Sequence, residues 1–386
     1  MKKKSFIFIN VLLSISLLAQ ERVSFAVVGD IMNHQLQIDT SYRAQCDCWD
    51  YKPSFEKIKP YLESADITIG NLETTLPGKR ELFSGYPEFG APDELLDALR
   101  WSGFDILTLA NNHTIDKKAL GVVRTKKRVL EEGLIPLGTY FDFEDFEKNS
   151  VFLYEKNQIR FAFLNFTYGT NGKVVPYPHL VDEIEFEALR KRIAQAKKHR
   201  PDVVILLLHY GTEYQTEPDV YQRAVVRLAL LEGVDIILGG HPHVLQPFEI
   251  LRMRDKYGVE KERLIVWSLG NFISNQKRIN TDGGMVFEFQ VVKKNQEIFI
   301  QNVDYLPVYV DFYQWHVVLP ITEHIFLSKE LNPHRRPIYP MDWKNEKYYI
   351  YFKNPHVHNK DKMVLFFKNA VKILKTLPKR LEIRTS

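Results

Sequence analysis

The sequence predicts an α/β domain built around sheets, and three observations carry that expectation. Apolar, β-branched-rich runs recur along the chain. Helical patterns lie between several of them. Each run ends at polar or Gly-rich residues. The runs are Val23–Val28, Ile67–Gly70, Ile106–Ala110, Ile159–Asn165, Val203–Leu208, Ile236–Leu238 and Leu264–Trp267. Near-continuous apolar runs of this length suit strands buried on both faces.

Taken in chain order, the first element is a targeting segment. Lys2, Lys3 and Lys4 precede an apolar run from Val11 to Ala19, and the chain turns polar at Glu21 and Arg22. A short run after a basic start predicts a secretory signal peptide over residues 1–20, cleaved near Ala19-Gln20. The run is too short to cross roughly 30 Å of hydrocarbon. The expected location is therefore outside the cytoplasm, periplasmic or at the cell surface, with membrane association an open option. No Cys follows the run to carry a lipid, and no later segment is apolar enough to span a bilayer. The two cysteines, Cys46 and Cys48, are one residue apart. A disulfide there would close a very tight ring, so free thiols, or a pairing without a large structural role, are expected.

Helices are predicted over Asp93–Trp101, which follows Pro92 and has acidic residues in its first turn, and over Lys117–Glu132, Glu183–Lys198 and Val220–Glu232. After Asp282-Gly283-Gly284 the pattern changes. Met285–Val292 and Ile298–Val303 read as a hairpin around Lys293-Lys294-Asn295-Gln296. From Pro307 onward prolines, aromatics and scattered histidines follow without clear periodicity. Lys362–Leu377 reads as a basic amphipathic helix packed on the body, or alternatively lying on a membrane surface. The expected organisation is a domain over 21–306 and a C-terminal extension over 307–386. Lys+Arg (52) nearly balance Asp+Glu (48), and a formal net charge of +4 argues for no nucleic-acid partner.

The strand ends carry the chemistry. The first run ends at Gly29-Asp30-Ile31-Met32, the second at Gly70-Asn71-Leu72-Glu73 and the third at Asn111-Asn112-His113. Later ones end at His209-Tyr210-Gly211-Thr212-Glu213, Gly239-Gly240-His241-Pro242-His243 and Ser268-Leu269-Gly270-Asn271-Phe272. In α/β proteins, sites lie where loops converge at the carboxyl ends of strands. Carboxylates, amides and imidazoles there are oxygen and nitrogen ligands suited to Mn²⁺, Zn²⁺, Fe²⁺ or Mg²⁺. Singly, each has a structural explanation as a cap, a turn residue or a hydrogen-bonded histidine. The ordered set is specific. His179, His199, His316, His324, His334, His356 and His358 lack such a context and read as surface or packing residues.

That order resembles the metal-site series of calcineurin-like metallophosphoesterases. More closely, the six segments, with Leu109-Ala110 before Asn111 and Val244 after His243, resemble the CapA family of poly-gamma-glutamate capsule synthesis proteins. Thr167-Tyr168-Gly169-Thr170-Asn171-Gly172 is similar to a further segment of that family. The resemblance runs from about Val23 to Val303. It implies a sandwich of two packed sheets flanked by helices, and one or two divalent ions. It implies Asp30, Glu73, Asn112, His209, His241 and His243 as ligands, with Asn71, Glu213 and Asn271 as additional ligands or substrate contacts. His113 takes the general-acid position. Two departures matter. Asp-x-His at the first strand is Asp30-Ile31-Met32, with His34 two positions too far along. Gly-Asp-x-x-Asp at the second is Gly70-Asn71-Leu72-Glu73, which weakens one metal position. The implied function is a metal-dependent phosphoesterase-type hydrolase in the synthesis of poly-gamma-glutamate or a related envelope polymer. It would act on a phosphate ester or an anionic polymer, alongside membrane proteins of capsule synthesis. The alternative is a non-catalytic, metal-bearing protein that guides or anchors an anionic polymer. A nucleotidase is disfavoured by the missing imidazole.

Overall fold

The computed structural model describes residues 21–312, 316–330, 339–344, 346–353 and 359–384. The expected signal peptide, His334, His356 and His358 lie outside the described residues.

In chain order the main strands are β1 (Arg22–Ile31), β2 (Ile67–Leu72), β3 (Ile106–Thr108), β4 (Ile135–Leu137), β5 (Phe152–Lys156), β6 (Ile159–Thr167) and β7 (Val203–His209). They continue with β8 (Ile236–Gly240), β9 (Phe248–Arg254), β10 (Glu260–Val266), β11 (Asn271–Ile273), β12 (Gly283–Lys294), β13 (Glu297–Asp311) and β14 (Val317–Pro320). The longer helices are α1 (Glu94–Trp101), α2 (Lys118–Glu131), α3 (Phe186–Lys198), α4 (Val220–Leu231) and α5 (Lys360–Leu374).

Two sheets result. The first has the order β14-β13-β12-β1-β2-β3-β4, with β11 also paired to β1. Its β1-β2-β3-β4 half is parallel and its β12-β13-β14 half antiparallel. The second has the order β9-β10-β8-β7-β6-β5, with a parallel centre and an antiparallel strand at each edge. The sheets pack face to face through Phe25, Val27, Ile69, Phe161, Phe163, Ile205 and Leu238. The far face of the first sheet is covered by α1 and short helices through Leu95, Leu99, Phe55 and Leu62. The far face of the second is covered by α3 and α4 through Leu189, Ile193, Val225 and Ala229. This is the expected sandwich, and it explains why the central strands read as unbroken apolar runs: both of their faces are buried.

The hairpin around Asn295-Gln296 forms as β12–β13, but β13 runs on through Pro307 to Asp311. No break falls at the expected boundary of 306/307. The residues beyond it build β15 (Ile325–Ser328), β16 (Tyr339–Trp343), β17 (Glu346–Phe352) and β18 (Ile383–Arg384), a sheet of order β16-β17-β15-β18. Helix α5 buries Met363, Phe366, Phe367 and Val371 in the core that also holds Phe287 and Phe289. Its apolar stripe is spent on the body, as a packed surface helix requires. Among the described residues no helix is long and apolar enough to cross a membrane. Of the two readings of Cys46 and Cys48, free thiols or a pairing without a large structural role, the pairing holds: they form a disulfide in a small hairpin that pairs Tyr42–Arg43 with Cys48–Trp49.

Candidate functional site

The parallel strands of both sheets end at one rim, and the strand-end residues meet there. Asp30 pairs in register with Asn71 on one side and Asn271 on the other. His209 pairs with Gly240 across the second sheet. Small residues permit the close approach. A Cβ on Gly29 would stand 1.9 Å from the Gly270 carbonyl oxygen, and one on Gly240 would stand 2.8 Å from Asp30 Oδ1.

Asp30 is fully buried and anchors the cluster. Asn71 Nδ2 donates to Asp30 Oδ1 at 2.8 Å, and the His241 backbone N–H donates to Asp30 Oδ2 at 3.3 Å. His243 Nδ1 lies 3.2 Å from Asp30 Oδ2 and 3.1 Å from Asn271 Oδ1. That leaves His243 Nε2 facing Glu73 Oε1 at 3.9 Å. His209 Nε2 stands 2.8 Å from Asn112 Oδ1 and 3.6 Å from Glu73 Oε1. The His209 and His241 rings are 4.8 Å apart. His241 and His243 both adopt left-handed backbone, with φ of +95° and +59°. Non-glycine residues rarely hold such angles, and they concentrate at functional sites where the surroundings enforce them.

Three groups place ligand atoms within 4.8 Å of one another: Glu73, His209 and His241; Asp30, Glu73 and His243; Glu213, His241 and His243. The residues fit a divalent cation on independent grounds. Among the described residues, both carboxylate oxygens of Glu73, and His241 Nδ1, are buried without a hydrogen-bond partner. Buried polar groups are nearly always satisfied, so orphans that converge on one point call for an ion. The electrostatics agree. Burial, reinforced by the charge of Asp30, pushes the Glu73 carboxyl well above its ordinary value. Burial opposes ionisation of Asp30 too, but the hydrogen bonds from His243 and Asn71 and the electrostatic pull of the neighbouring histidines outweigh it and hold Asp30 at about 2. Burial takes His209 down to about 3 and His241 well below its ordinary value, so both present neutral imidazoles.

Asn71 sits in the cluster with its oxygen turned aside. Oδ1 accepts from Thr108 Oγ1 at 3.1 Å and Asn111 Nδ2 at 3.3 Å, so the side chain orients Asp30. Met32, in place of the usual imidazole, is buried. His34 is occupied elsewhere: its Nδ1 accepts from the Asn275 backbone N–H at 3.2 Å and lies 3.2 Å from Gln37 Oε1. Asn271 holds His243 from behind. Its Nδ2 donates to the Thr281 carbonyl at 2.9 Å and to Gln276 Oε1 at 3.1 Å.

His113 is beside the cluster, with Nε2 4.0 Å from Glu73 Oε1. Sequence reasoning missed what holds it. Nδ1 donates to Asp116 Oδ2 at 2.6 Å, and the other Asp116 oxygen pairs with Lys173 Nζ at 2.9 Å. The i to i+3 spacing of His113 and Asp116 in one turn was the available signal. Lys173, from the loop after β6, gave none. Tyr168 from the same loop packs its ring 4.5 Å from His241.

The chain is similar to proteins of known family. The chain is 31% identical over 282 residues to the capsule biosynthesis protein CapA of Bacillus anthracis, covering 70% of this chain and 64% of that one. It is 28% identical over 279 residues to the PGA biosynthesis protein CapA of Bacillus subtilis (strain 168), covering 71% of this chain and 68% of that one. The chain thus spans just under two thirds of the first relative's length. A solved calcineurin-like phosphoesterase, YfkN from Bacillus subtilis, aligns at a TM-score of 0.46 and 16% identity over 75% of this chain and 90% of that one. A score of that size carries no weight, and the fold rests on the sheet topology above. Every segment that contributes to the site, from Asp30 to Asn271, lies inside residues 24–276, which match the sequence model of one family; the chain belongs to that family, the bacterial capsule synthesis protein family PGA_cap.

Proposed function

We propose that this protein is an exported, metal-dependent phosphoesterase acting in the assembly of poly-gamma-glutamate or a related envelope polymer. The observation that supports it best is the pairing of the orphaned Glu73 oxygens and His241 Nδ1 with a histidine already held for proton transfer. Asp30, Glu73, Asn112, His209, His241 and His243 would hold one or two ions of Mn, Zn, Fe or Mg, with Glu213 beside the two histidines of its loop. Bound ions would lower the pKa of a coordinated water and offset charge in an in-line displacement. The chain's own part is proton transfer and orientation. Asp116 fixes the His113 ring so that Nε2 points toward Glu73 and the space in front of it. The attack on phosphorus would come from a water that gives up its proton to solvent. The ester P–O bond breaks with its electron pair on the leaving oxygen, and that oxygen takes the proton from His113 Nε2. Asp116 is a positioning residue, as it touches only the histidine.

The test is His113→Ala in purified full-length protein. Metal content, measured by mass spectrometry, should stay near that of the wild type. Turnover of an activated phosphodiester should fall on the order of 10²- to 10⁴-fold. Normal turnover would remove His113 from the reaction. A second reading, a metal-bearing protein that binds an anionic polymer without cleaving it, is favoured by Met32 and by the turned-away Asn71 oxygen, which thin one ligand set. Under that reading the wild type binds polyglutamate but turns over no ester, and His113→Ala leaves binding unchanged.

A further inference from the structure

Next to the metal centre lies a cavity of about 350 Å³ between the 277–282 loop and α5. The loop is part of the centre's own support, since Gln276 and the Thr281 carbonyl both hold Asn271, which holds His243. One side chain belongs to both places. Arg278 lines the cavity and stacks its guanidinium 4.1 Å from the Tyr214 ring, whose centroid is 6.1 Å from that of His243. Tyr214 is tied to the histidine loop by its backbone N–H, which donates to the Pro242 carbonyl at 2.8 Å.

The lining has two characters. Leu36, Phe312, Leu365 and Phe366 form an apolar surface, and Ile279 stands at the edge. Ile279 is 74% exposed and Leu365 48%, unusual for apolar side chains grouped in one concavity. Lys277, Arg278 and Lys362 border it, and among the described residues none of the three has a carboxylate within ion-pair distance. Asp282 is the one acid in the lining, and burial pushes its carboxyl up to about 6. The balance is cationic and apolar together. A fully hydrated polycarboxylate has charge for the lysines and nothing for the apolar wall. An inorganic anion has the same shortfall.

We propose that this cavity seats the apolar chain of the substrate, so that the ester presented to the metal centre is a phosphate borne on a lipid-like chain. Arg278 lies between the chain and the phosphate and steers the anionic head toward His243. This rests on the phosphoesterase reading and narrows its substrate class.

The experiment compares 4-nitrophenyl decyl phosphate with 4-nitrophenyl methyl phosphate, using full-length metal-loaded protein below the micellar concentration. The decyl ester should have kcat/KM at least tenfold higher, and the ratio should fall to about one in Leu365→Asp and in Ile279→Asp. Equal turnover of both esters by the wild type overturns the proposal and leaves the phosphoesterase reading intact. If neither ester turns over, that reading fails, and calorimetry with decyl phosphate against methyl phosphate decides the site. Tenfold tighter binding of the decyl compound, lost in Leu365→Asp, supports it; equal affinity overturns it. Binding to phosphatidylglycerol vesicles without any preference between the monomeric compounds would make this face a membrane contact, and would also overturn it.

Discussion

The second sheet buries charge at both of its ends, in opposite ways. At the amino end of β8 and β10, Arg263 is 1% exposed, yet Nη1 reaches Asp235 Oδ1 and the Val234 carbonyl, and Nη2 reaches Asp255 Oδ2 at 3.2 Å. Lys261 and Lys197 add cations to the same two carboxylates. At the carboxyl end, 5 residues of β8 away, His241, and Glu73 reaching in from the end of β2 in the facing sheet, keep buried polar atoms without partners among the described residues. The comparison separates structure from function. Arg263 leaves only its Nε without a partner while its charge is met by two carboxylates; at Glu73 both oxygens of the carboxylate are left bare. A bare carboxylate beside unpaired imidazoles is what the proposed metal centre requires.

The most severe way to probe the contrast is to remove the two imidazoles that the strained loop presents. The double variant His241→Ala/His243→Ala deletes two ligands, where loss of even an outer partner costs about 10- to 100-fold in affinity. Metal affinity should drop by at least about 10²- to 10⁴-fold, and the purified variant should carry almost no metal by mass spectrometry. Because the loop's left-handed angles serve the site, the variant should still fold, as its circular dichroism will show. Full metal content would refute the centre.

Next in size is the paired end. Arg263→Ala leaves Asp235 and Asp255 buried without their shared guanidinium, a change that costs about 3–5 kcal/mol in buried ion pairs. Chemical denaturation should show that loss, while metal content per folded molecule stays constant. Reduced metal content in folded Arg263→Ala would mean the two ends are coupled.

How much of this was legible beforehand follows from what each part depends on. The strands Val203–His209 and Ile236–Gly240 were plain because burial on both faces forces an unbroken apolar run. The ligand positions were plain because strand ends alone can hold polar residues beside such a core. Asp116 and Lys173 were not, since their role depends on how two loops fold over His113, and no periodicity records that. Position 307 looked like a boundary because Pro307 and the aromatics mask a strand; β13 tolerates the proline, paired there opposite Met285. The tail sheet was hidden for a related reason. Its strands pair across long separations, as Leu327 does with Ile383, and their apolar side chains are shared with the main core.

A smaller effect is expected when the bare carboxylate itself is neutralised. Glu73→Gln keeps the shape and fixes beside Asp30 the neutral form that burial already favours for this carboxyl. In chelator-treated protein, stability should be unchanged or higher by up to about 2 kcal/mol, since exchanging buried charge for neutral groups is often neutral or stabilising. Added metal should then shift the melting temperature of the wild type and not of the variant. A clear loss of stability in the metal-free variant would show that Glu73 is structural, like Asp235.

Asp182 sits between the two extremes and gives the finest measure. It is buried, accepts from the Tyr140 hydroxyl at 2.6 Å, and has Arg192 Nη1 at 3.5 Å, too far for a close ion pair. Burial outweighs both partners and pushes its carboxyl up to about 6. The folded state therefore binds this proton more tightly than the unfolded chain, where an Asp titrates near about 3.9. Between those values the native state carries more protons, so stability rises as pH falls through 6 and is lost above it. Lowering the pH from 7 to 5 should add about 1 kcal/mol from this group alone, by the relation of about 1.4 kcal/mol per pKa unit. Asp182→Asn retains an oxygen for Tyr140 and does not titrate. Relative to the variant, the wild type should therefore gain that amount of unfolding free energy, measured by chemical denaturation, over the same pH range. A difference independent of pH would mean that Arg192 pairs with Asp182 as fully as Arg263 pairs with Asp235, and that buried acids in this protein are bare only where a ligand is meant to bind.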